Sequence, residues 1–210
     1  MIRAVDPAGP CGDAAAEPIG AGFFARPAEE VARALLGRLL VSTVDGVRTA
    51  GRIVETEAYV GPHDPASHAA ERIGRTARNR SMFGPPGHAY VYRIYGLHWC
   101  MNAVTGEEGF PSGVLIRAIE PTEGIGMMRE RRGGDWDGRR LTGGPARLTV
   151  ALGITGALDG ASLDRPPLWI SGAPAPVQDA EVVCGPRIGV TRAADWPLRF
   201  HLSGCRWVSH

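Results

Sequence analysis

The segment from Arg52 to Arg117 constrains the fold and the chemistry of this chain more than any other stretch. It combines an acidic motif, ETEAY at 55–59, with an aromatic run, YVYRIYG at 90–96, and with several arginines. Strands that bring these motifs together would place a carboxylate, flat aromatic faces and a positively charged rim around one cavity. Such a cavity suits a flat, uncharged or cationic ring that is attached to a polyanion.

Turn signals predict how the strands of this segment pair. Asp45-Gly46 is a two-residue hairpin signal, so the strands around Val41 and Ile53 are expected to be antiparallel. Alternation along the second strand predicts that four side chains share one face. These are Ile53, Glu55, Glu57 and Tyr59.

Further strands are predicted over 88–95, 97–104 and 113–119, with the turn between the first two at Tyr95-Gly96. Residues 62–87 are rich in proline, glycine and arginine and are expected to form a long loop. Beyond about residue 158 the chain reads as short strands. Their sequences are LWIS, RIGVT and LRFHLSG.

Three helices are predicted. The first opens at Pro27 and carries Val31, Leu35 and Leu39 at helical spacing, with Glu29 and Glu30 in its first turn. The second spans 122–132, with Thr122 as its cap, and the third spans 145–152, between Pro145 and Gly153. Residues 1–22 lack periodicity and are interpreted as a mobile tail. We therefore expect one α+β domain over 23–210, a curved, mostly antiparallel sheet flanked by helices.

Composition narrows the class of protein. The net charge of +1 gives no global bias toward nucleic acid, so any basic surface must be local. All 23 basic residues are arginine, so no lysine is present to form a Schiff base. The four cysteines are scattered and are interpreted as reduced thiols in a cytoplasmic protein without a membrane segment. No cluster of residues has the spacing of metal ligands, and no cofactor is predicted.

Glu57 is the candidate acid or base, because it lies at a strand end beside Tyr59, where apolar neighbours can exclude water. Glu55 on the same face is its competitor, and either carboxylate could instead lie on a solvated strand edge. His68, in DPASHA, has no second histidine or carboxylate at metal-ligand spacing.

Aromatic and basic residues accompany the acid. Tyr92 can face a pocket, whereas Tyr95 at a hairpin tip is available as a wedge between stacked bases. The loop contains four arginines that could bind phosphates or simply be solvated. They are Arg72, Arg75, Arg78 and Arg80.

With these residues assembled, the chain resembles the alkyladenine DNA glycosylase family, the mammalian type of 3-methyladenine DNA glycosylase. The resemblance runs from about Phe23 to Ser209. It is carried in order by six blocks: GRIVETEAYVGP at 51–62, RNRSMF at 78–83, YVYRIYGLHWCMN at 90–102, LIRAIEP at 115–121, LTGGPARL at 141–148 and RIGV at 187–190.

The resemblance implies roles for single residues. Glu57 would be the general base, and Arg117 with the main-chain carbonyl of Ile188 would help hold the hydrolytic water. Tyr59 would stack on one face of a flipped base, and His68 and Tyr92 on the other. Asn102 would clash with the 2-amino group of guanine. Tyr95 would fill the hole in the duplex, with Arg78, Arg80 and Arg93 contacting DNA.

The implied protein is a monofunctional glycosylase of base excision repair. It would be a monomer that acts on double-stranded DNA containing alkylated or deaminated purines. Arg93 and the pair His98-Trp99 depart from the residues of animal members, which leaves the range of lesions open. Two alternatives stay open: an N-ribosyl hydrolase of free nucleosides, and a damage-binding module without catalysis.

Overall fold

The computed structural model describes residues 17–172 and 177–209. The helices are α1 (Ala21–Phe24), α2 (Ala28–Leu35), α3 (Ile125–Arg132), α4 (Gly138–Thr142) and α5 (Pro145–Leu152). The strands are β1 (Leu39–Ser42), β2 (Thr49–Tyr59), β3 (Ala89–Ile94), β4 (His98–Thr105), β5 (Ser112–Glu123), β6 (Asp164–Arg165), β7 (Leu168–Ser171), β8 (Val182–Gly185) and β9 (Arg199–Leu202).

The strands form one curled antiparallel sheet in the order β3-β4-β5-β2-β1-β7-β6. The long strand β2 pairs with β5 on one side, and on its other side it pairs first with β1 and then with β9. Register shifts between Ile53 and Thr56 accompany this change of partner. Together with the helices the sheet gives the single α+β domain that was predicted.

The core lies between the sheet and the helices. Val31 and Leu35 of α2, Ile116 of β5, and Leu148 and Leu152 of α5 are fully buried in one apolar cluster. Replacing one such leucine by alanine typically costs about 2–5 kcal/mol of the free energy of unfolding. The packed core fixes the strands whose outer ends carry the polar residues described below.

The predicted antiparallel pairings are confirmed, but six residues, 43–48, and not two separate β1 from β2. Asp45 and Gly46 have φ of 58° and 72°, and β1 and β2 pair antiparallel across them. Tyr95 and Gly96 have φ of 50° and 68° between β3 and β4. The three predicted strands extend over 89–94, 98–105 and 112–123.

Several predicted elements were wrong in part. The first helix ends at Leu35 and Leu39 lies in β1, because the chain turns at Gly37, where φ is 83°. The second helix begins at Ile125 rather than at residue 122. Thr122 belongs to β5, where its hydroxyl donates to the Ala50 carbonyl of β2, and the left-handed Gly124 is the residue that precedes the helix.

The prediction for 187–191 was also wrong, because this RIGVT segment is a loop and not a strand. The predictions for LWIS and for LRFHLSG are confirmed in β7 and β9, the helix 145–152 is confirmed as α5, and β8 was not predicted. Residues 1–16 of the predicted tail lie outside the described residues. Ile19 donates its main-chain N–H to Ile170 at 2.9 Å, and the boundary at residue 22 stays a prediction.

Candidate active site

Glu57 lies fully buried near the end of β2, between three partners. Its Oε1 accepts the main-chain N–H of Ile188 at 2.7 Å and lies 3.2 Å from Nη1 of Arg117. Its Oε2 accepts the hydroxyl of Tyr59 at 3.1 Å. Burial raises the pKa of Glu57 above its usual value, and Arg117 and the two hydrogen bonds oppose this increase. Burial thus favours the neutral carboxyl group, and its specific partners favour the ionised form.

Glu55 has a different environment, although it shares a face of β2 with Glu57. It is also fully buried, and its oxygens are bound by Nε of Arg199 at 2.6 Å and by the amide and hydroxyl of Ser209 at 2.7 and 2.9 Å. Predicted alternation places Ile53 on the same face, but the register shift at this point leaves Ile53 in the apolar core. The two carboxylates are thus neighbours that share Arg117, and their other partners differ.

A cavity of about 560 Å³ opens in front of Glu57. Glu57 itself does not line it, but all three of its partners do: Tyr59, Arg117 and Ile188. Of the partners of Glu55, only Arg117 reaches the cavity. Glu57 is therefore the carboxylate that lies directly behind the cavity wall.

Aromatic rings form another wall of this cavity. The rings of Tyr90 and Tyr92 are stacked with centroids 5.2 Å apart, and His68 meets Tyr92 edge to face at 4.4 Å. Nδ1 of His68 lies 3.1 Å from the hydroxyl of Tyr90. Because all of these residues and Tyr59 line the same cavity, flat faces are presented to anything that enters it.

His68 is held in place by the loop that follows it. The buried side chain of Asn79 donates to the carbonyls of His68 and Gly74 at 2.9 and 2.8 Å. Burial first, and then the nearby Arg78 guanidinium, lower the pKa of His68. The imidazole is consequently neutral at neutral pH, which favours stacking over acid catalysis at this position.

Tyr59 is supported from behind by a buried ion pair. The guanidinium of Arg187 lies over the Tyr59 ring at 4.7 Å, and both nitrogens at its end bind the carboxylate of Asp64. Both side chains of the pair are fully buried. A fixed cation on one side of the ring leaves the side toward the cavity for a ligand.

Asn102 lines the cavity from β4. It is 6% exposed, and its Nδ2 donates to the main-chain carbonyl of Tyr90 at 3.2 Å. This bond fixes the amide plane, so the side chain presents a constant shape to the cavity. Cys100, two residues earlier, also lines the cavity, and burial raises the pKa of its thiol to about 11.

Tyr95 stands at the rim of the cavity, at the apex of the β3–β4 hairpin. It is 90% exposed, and the neighbouring Leu97 is 72% exposed. Tyr95 lies beyond the end of β3 at Ile94, and both its ring and that of Tyr92 line the cavity. An apolar group that is exposed to this degree has little to pack against within its own chain.

The predicted arginines are exposed but lie at different places. Arg78 lines the cavity, donates to the carbonyl of Arg93 at 2.9 Å and lies over the ring of Tyr92 at 5.8 Å. Arg93 lies over the ring of Trp99 at 5.5 Å, and neither it nor Arg80 lines the cavity. The structure brings Arg78 to the cavity and leaves Arg80 and Arg93 outside it.

Sequence reasoning missed several residues of this site. Arg192 lines the cavity, Asp64 and Arg187 support Tyr59, and Ser209 binds the neighbouring carboxylate. The block RIGV contains Arg187, but nothing in the sequence pairs it with Asp64, which lies 123 positions earlier. For Ile188, the amide N–H is the group that contacts Glu57, and the predicted role of its carbonyl stays a prediction.

Neither a metal cluster nor a membrane helix is found in the part of the chain that the structure describes. No group of three or more potential ligands could hold a metal ion there. No described helix is both long and apolar enough to cross a bilayer.

Comparison with known proteins identifies the family. The model of the methylpurine-DNA glycosylase (MPG) family matches residues 22–206. A protein of Methanoculleus marisnigri named "Putative 3-methyladenine DNA glycosylase" is 53% identical over 191 residues, which cover 90% of this chain and 97% of that protein. Proteins of the same name from Rhodopseudomonas palustris and Nitrosospira multiformis are 51% and 50% identical, covering 95% and 89% of this chain and 94% and 91% of theirs.

The match therefore covers nearly the whole domain, from the first helix to the last strand. It includes the strand with the paired glutamates, the aromatic hairpin and the loop that follows β8. The chain belongs to the methylpurine-DNA glycosylase family and is a DNA glycosylase, a hydrolase of N-glycosyl bonds that acts in DNA repair.

Proposed function

We propose that this protein flips alkylated or deaminated purines out of duplex DNA and hydrolyses their bond to deoxyribose, with Glu57 as the general base. The expected substrates are 3-methyladenine, 7-methylguanine, hypoxanthine and ethenoadenine. The observation that carries the proposal is the position of the buried carboxylate of Glu57 behind the wall of a cavity lined by aromatic rings.

Flipping costs a few kcal/mol, and stacking on aromatic side chains returns about 1–3 kcal/mol per base. Tyr59 receives one face of the base, and His68 with Tyr92 receive the other. Tyr95 enters the gap that the base leaves in the duplex, where its exposed ring replaces the lost stacking. Phosphates next to the flipped nucleotide are bound by Arg78 at the rim, with Arg80 and Arg93 contacting DNA farther out.

Asn102 selects against normal guanine. Its amide is fixed by the hydrogen bond to the Tyr90 carbonyl, so it cannot turn aside for an exocyclic 2-amino group without losing that bond. Purines without this amino group fit beside Asn102. For 7-methylguanine, the binding energy of the cationic ring on the aromatic walls offsets the unfavourable contact.

In the reaction, water approaches C1′ on the side of Glu57. Oε2 of Glu57 binds the Tyr59 hydroxyl when no substrate is present, so the incoming water replaces this hydroxyl as its partner. Glu57 takes one proton from the water as the new C–O bond forms and the C–N bond breaks, and the bonding electrons leave with the base. Arg117, together with the Ile188 main chain, orients the carboxylate and the water.

A base alkylated at N3 or N7 is cationic and leaves as a neutral molecule, so one carboxylate suffices. No lysine is present to attack C1′, so the product is an abasic site rather than a cleaved strand. The enzyme is thus a monofunctional glycosylase, and it acts as a monomer.

A single-turnover assay on duplex DNA with one 7-methylguanine or one hypoxanthine tests the proposal. Glu57→Gln should lower the rate by about 10²–10⁴-fold, the usual contribution of a general base, while lesion binding is retained. Glu107→Gln, in an exposed loop, is the matched control and should cleave like the parent protein. If Glu57→Gln cleaves normally while Glu55→Gln does not, Glu55 is the base.

Two other outcomes would reject the proposed activity altogether. Release of hypoxanthine from free inosine, with none from duplex DNA, would identify a nucleoside hydrolase. Tight binding to the lesion without any excision would identify a damage-binding module.

A further inference from the structure

We infer that Glu55, Arg199 and Ser209 form a positioning cluster that orients Arg117 toward Glu57 and thereby sets the pH range in which Glu57 acts. This inference rests on the proposed role of Glu57 as the base. None of the three cluster residues lines the cavity, so each would act through Arg117 and not by touching the substrate.

The cluster binds both oxygens of Glu55. Oε2 accepts the amide N–H of Ser209 at 2.7 Å, and Oε1 accepts its hydroxyl at 2.9 Å and Nε of Arg199 at 2.6 Å. Arg199 also donates to the carbonyl of Ser209 at 3.3 Å. Ser209 lies 154 positions after Glu55 and is 3% exposed, so a distant part of the chain closes this arrangement.

Arg117 is shared between the two glutamates. Its Nε lies 3.4 Å from Oε1 of Glu55 and its Nη1 lies 3.2 Å from Oε1 of Glu57. Its Nη2 donates to the hydroxyl of Ser209 at 3.2 Å. Nε also donates to this hydroxyl, at 3.4 Å. Because two of the nitrogens bind Ser209, the plane of the guanidinium is fixed, and with it Nη1, the nitrogen that is directed at Glu57.

The charges of the group balance. Two buried carboxylates, Glu55 and Glu57, lie with two guanidiniums, Arg117 and Arg199, whose side chains are 8% and 15% exposed. Because little water screens these charges, removing one of them changes the electrostatic energy of the other three. In agreement, the pKa of Glu57 is lowered by Arg117 and raised by Glu55, although burial has the largest effect.

Other groups face Glu57 from β2, from β4 and from the loop 186–190. Their charges are not changed by the substitutions proposed below. On β2 the neighbour is Tyr59, whose pKa is raised by burial, and on β4 it is Cys100, whose pKa of about 11 keeps the thiol neutral. In the loop 186–190 the amide of Ile188 contacts Glu57, and Arg187 faces Tyr59.

Two single substitutions with opposite charge changes test the inference. The assay is the pH profile of single-turnover excision of 7-methylguanine, a cationic leaving base that needs no acid. Activity is lost as pH falls through the pKa of Glu57, because only the ionised carboxylate accepts a proton. Glu55→Gln removes a negative charge and should move this acid limb to lower pH by about 1 pH unit. Arg199→Gln removes a positive charge and should move the limb upward by a similar amount.

The double variant Glu55→Gln/Arg199→Gln restores the charge balance and should return the limb to its original position. A cluster that only holds the fold together would lower stability, but it would not move the limb in opposite directions. Shifts of both single variants in the same direction, or no shift in either, would therefore overturn the inference.

Two substitutions of Ser209 that change no charge test the inference if the charge-changing variants do not fold. Ser209→Ala removes the hydroxyl that bridges Arg117 and Glu55 but keeps the amide. Loss of a hydrogen bond to charged groups corresponds to about a 10-fold lower excision rate with lesion affinity unchanged, and Ser209→Thr should restore the rate. Equal rates for Ser209→Ala and the parent protein would reject the role of Ser209.

Glu57→Gln, measured in parallel, separates this inference from the proposed function. If Glu57→Gln is active, the assignment of the base has failed and the cluster has no base to tune. If Glu57→Gln is inactive and the acid limbs of the single variants coincide with that of the parent, only the cluster has failed.

Discussion

The buried ion pair behind Tyr59 allows a stability change to be estimated in advance. Asp64→Asn replaces the carboxylate by an amide of nearly the same size and leaves the guanidinium of Arg187 without a counter-charge. Both side chains are fully buried, so water cannot take the place of the lost charge.

Removing one partner of a buried ion pair costs about 3–5 kcal/mol. The oxygen of the substituted amide can still accept a hydrogen bond, and Arg187 still donates to the carbonyl of Ala58 at 3.0 Å, so the lower end of this range, about 3 kcal/mol, is expected. For a domain of this size, 1 kcal/mol corresponds to about 2–4 °C in Tm. The expected decrease in Tm is therefore about 6–12 °C.

The assay is thermal and urea unfolding at neutral pH. Glu123→Gln is the matched control, because it breaks the pair with Arg48, whose side chains are 42% and 46% exposed. An exposed pair contributes about 0–1 kcal/mol, so the control should lose less than about 4 °C. A second comparison is Asp64→Asn/Arg187→Met, which removes both charges and should be more stable than Asp64→Asn alone.

Equal losses for Asp64→Asn and Glu123→Gln would refute the argument, since it depends on the burial of one pair and the exposure of the other. A double variant less stable than Asp64→Asn would show instead that Arg187 stabilises the fold without its carboxylate. Because Arg187 also supports the ring of Tyr59, Asp64→Asn should weaken lesion binding even below its Tm.

Three further predictions concern the cavity and its rim. Tyr95→Ser should weaken binding to lesion-containing duplex by about 5- to 150-fold, equivalent to the loss of about 1–3 kcal/mol of stacking, while Tm stays nearly constant; unchanged affinity in a fluorescence titration would contradict the wedge. Arg78→Gln should raise the pKa of His68, because it removes a nearby positive charge, and an NMR titration of the imidazole that shows no increase would count against it. Excision of 7-methylguanine should decline in acid with a midpoint above pH 4.5, the ordinary pKa of glutamate, because burial raises the pKa of Glu57; a midpoint at or below 4.5 would mean that Arg117 and the hydrogen bonds outweigh burial.

Local signals in the sequence were sufficient for the hairpins. In Asp45-Gly46 and in Tyr95-Gly96 the second residue is a glycine, which adopts positive φ readily, and the first residue also has positive φ. Both turns were located correctly. Helix starts were less predictable. Thr122 has the chemistry of a cap, but the pairing of β5 with β2 extends past it and places its hydroxyl on a strand.

The site was predictable where its residues lie on neighbouring strands. Alternation placed Glu55, Glu57 and Tyr59 on one face, and the family resemblance named several residues that line the cavity, among them His68, Tyr92 and Asn102. Alternation could not indicate which of the two glutamates is the better candidate for the base, because both lie on the same face. Their different environments come from Ile188 and Ser209, which reach β2 from 131 and 154 positions away.

The left-handed backbone of Tyr95 has a further consequence. A tyrosine at φ 50° has a conformational free energy about 1 kcal/mol less favourable than that of a glycine. Its exposed ring makes few packing contacts that could offset this cost in the free protein. Selection for thermal stability alone would thus be expected to replace this tyrosine by glycine or asparagine. Its persistence in an active enzyme would have to be maintained by repair itself, so a screen that scores only folding would discard the residue that is proposed to capture the lesion.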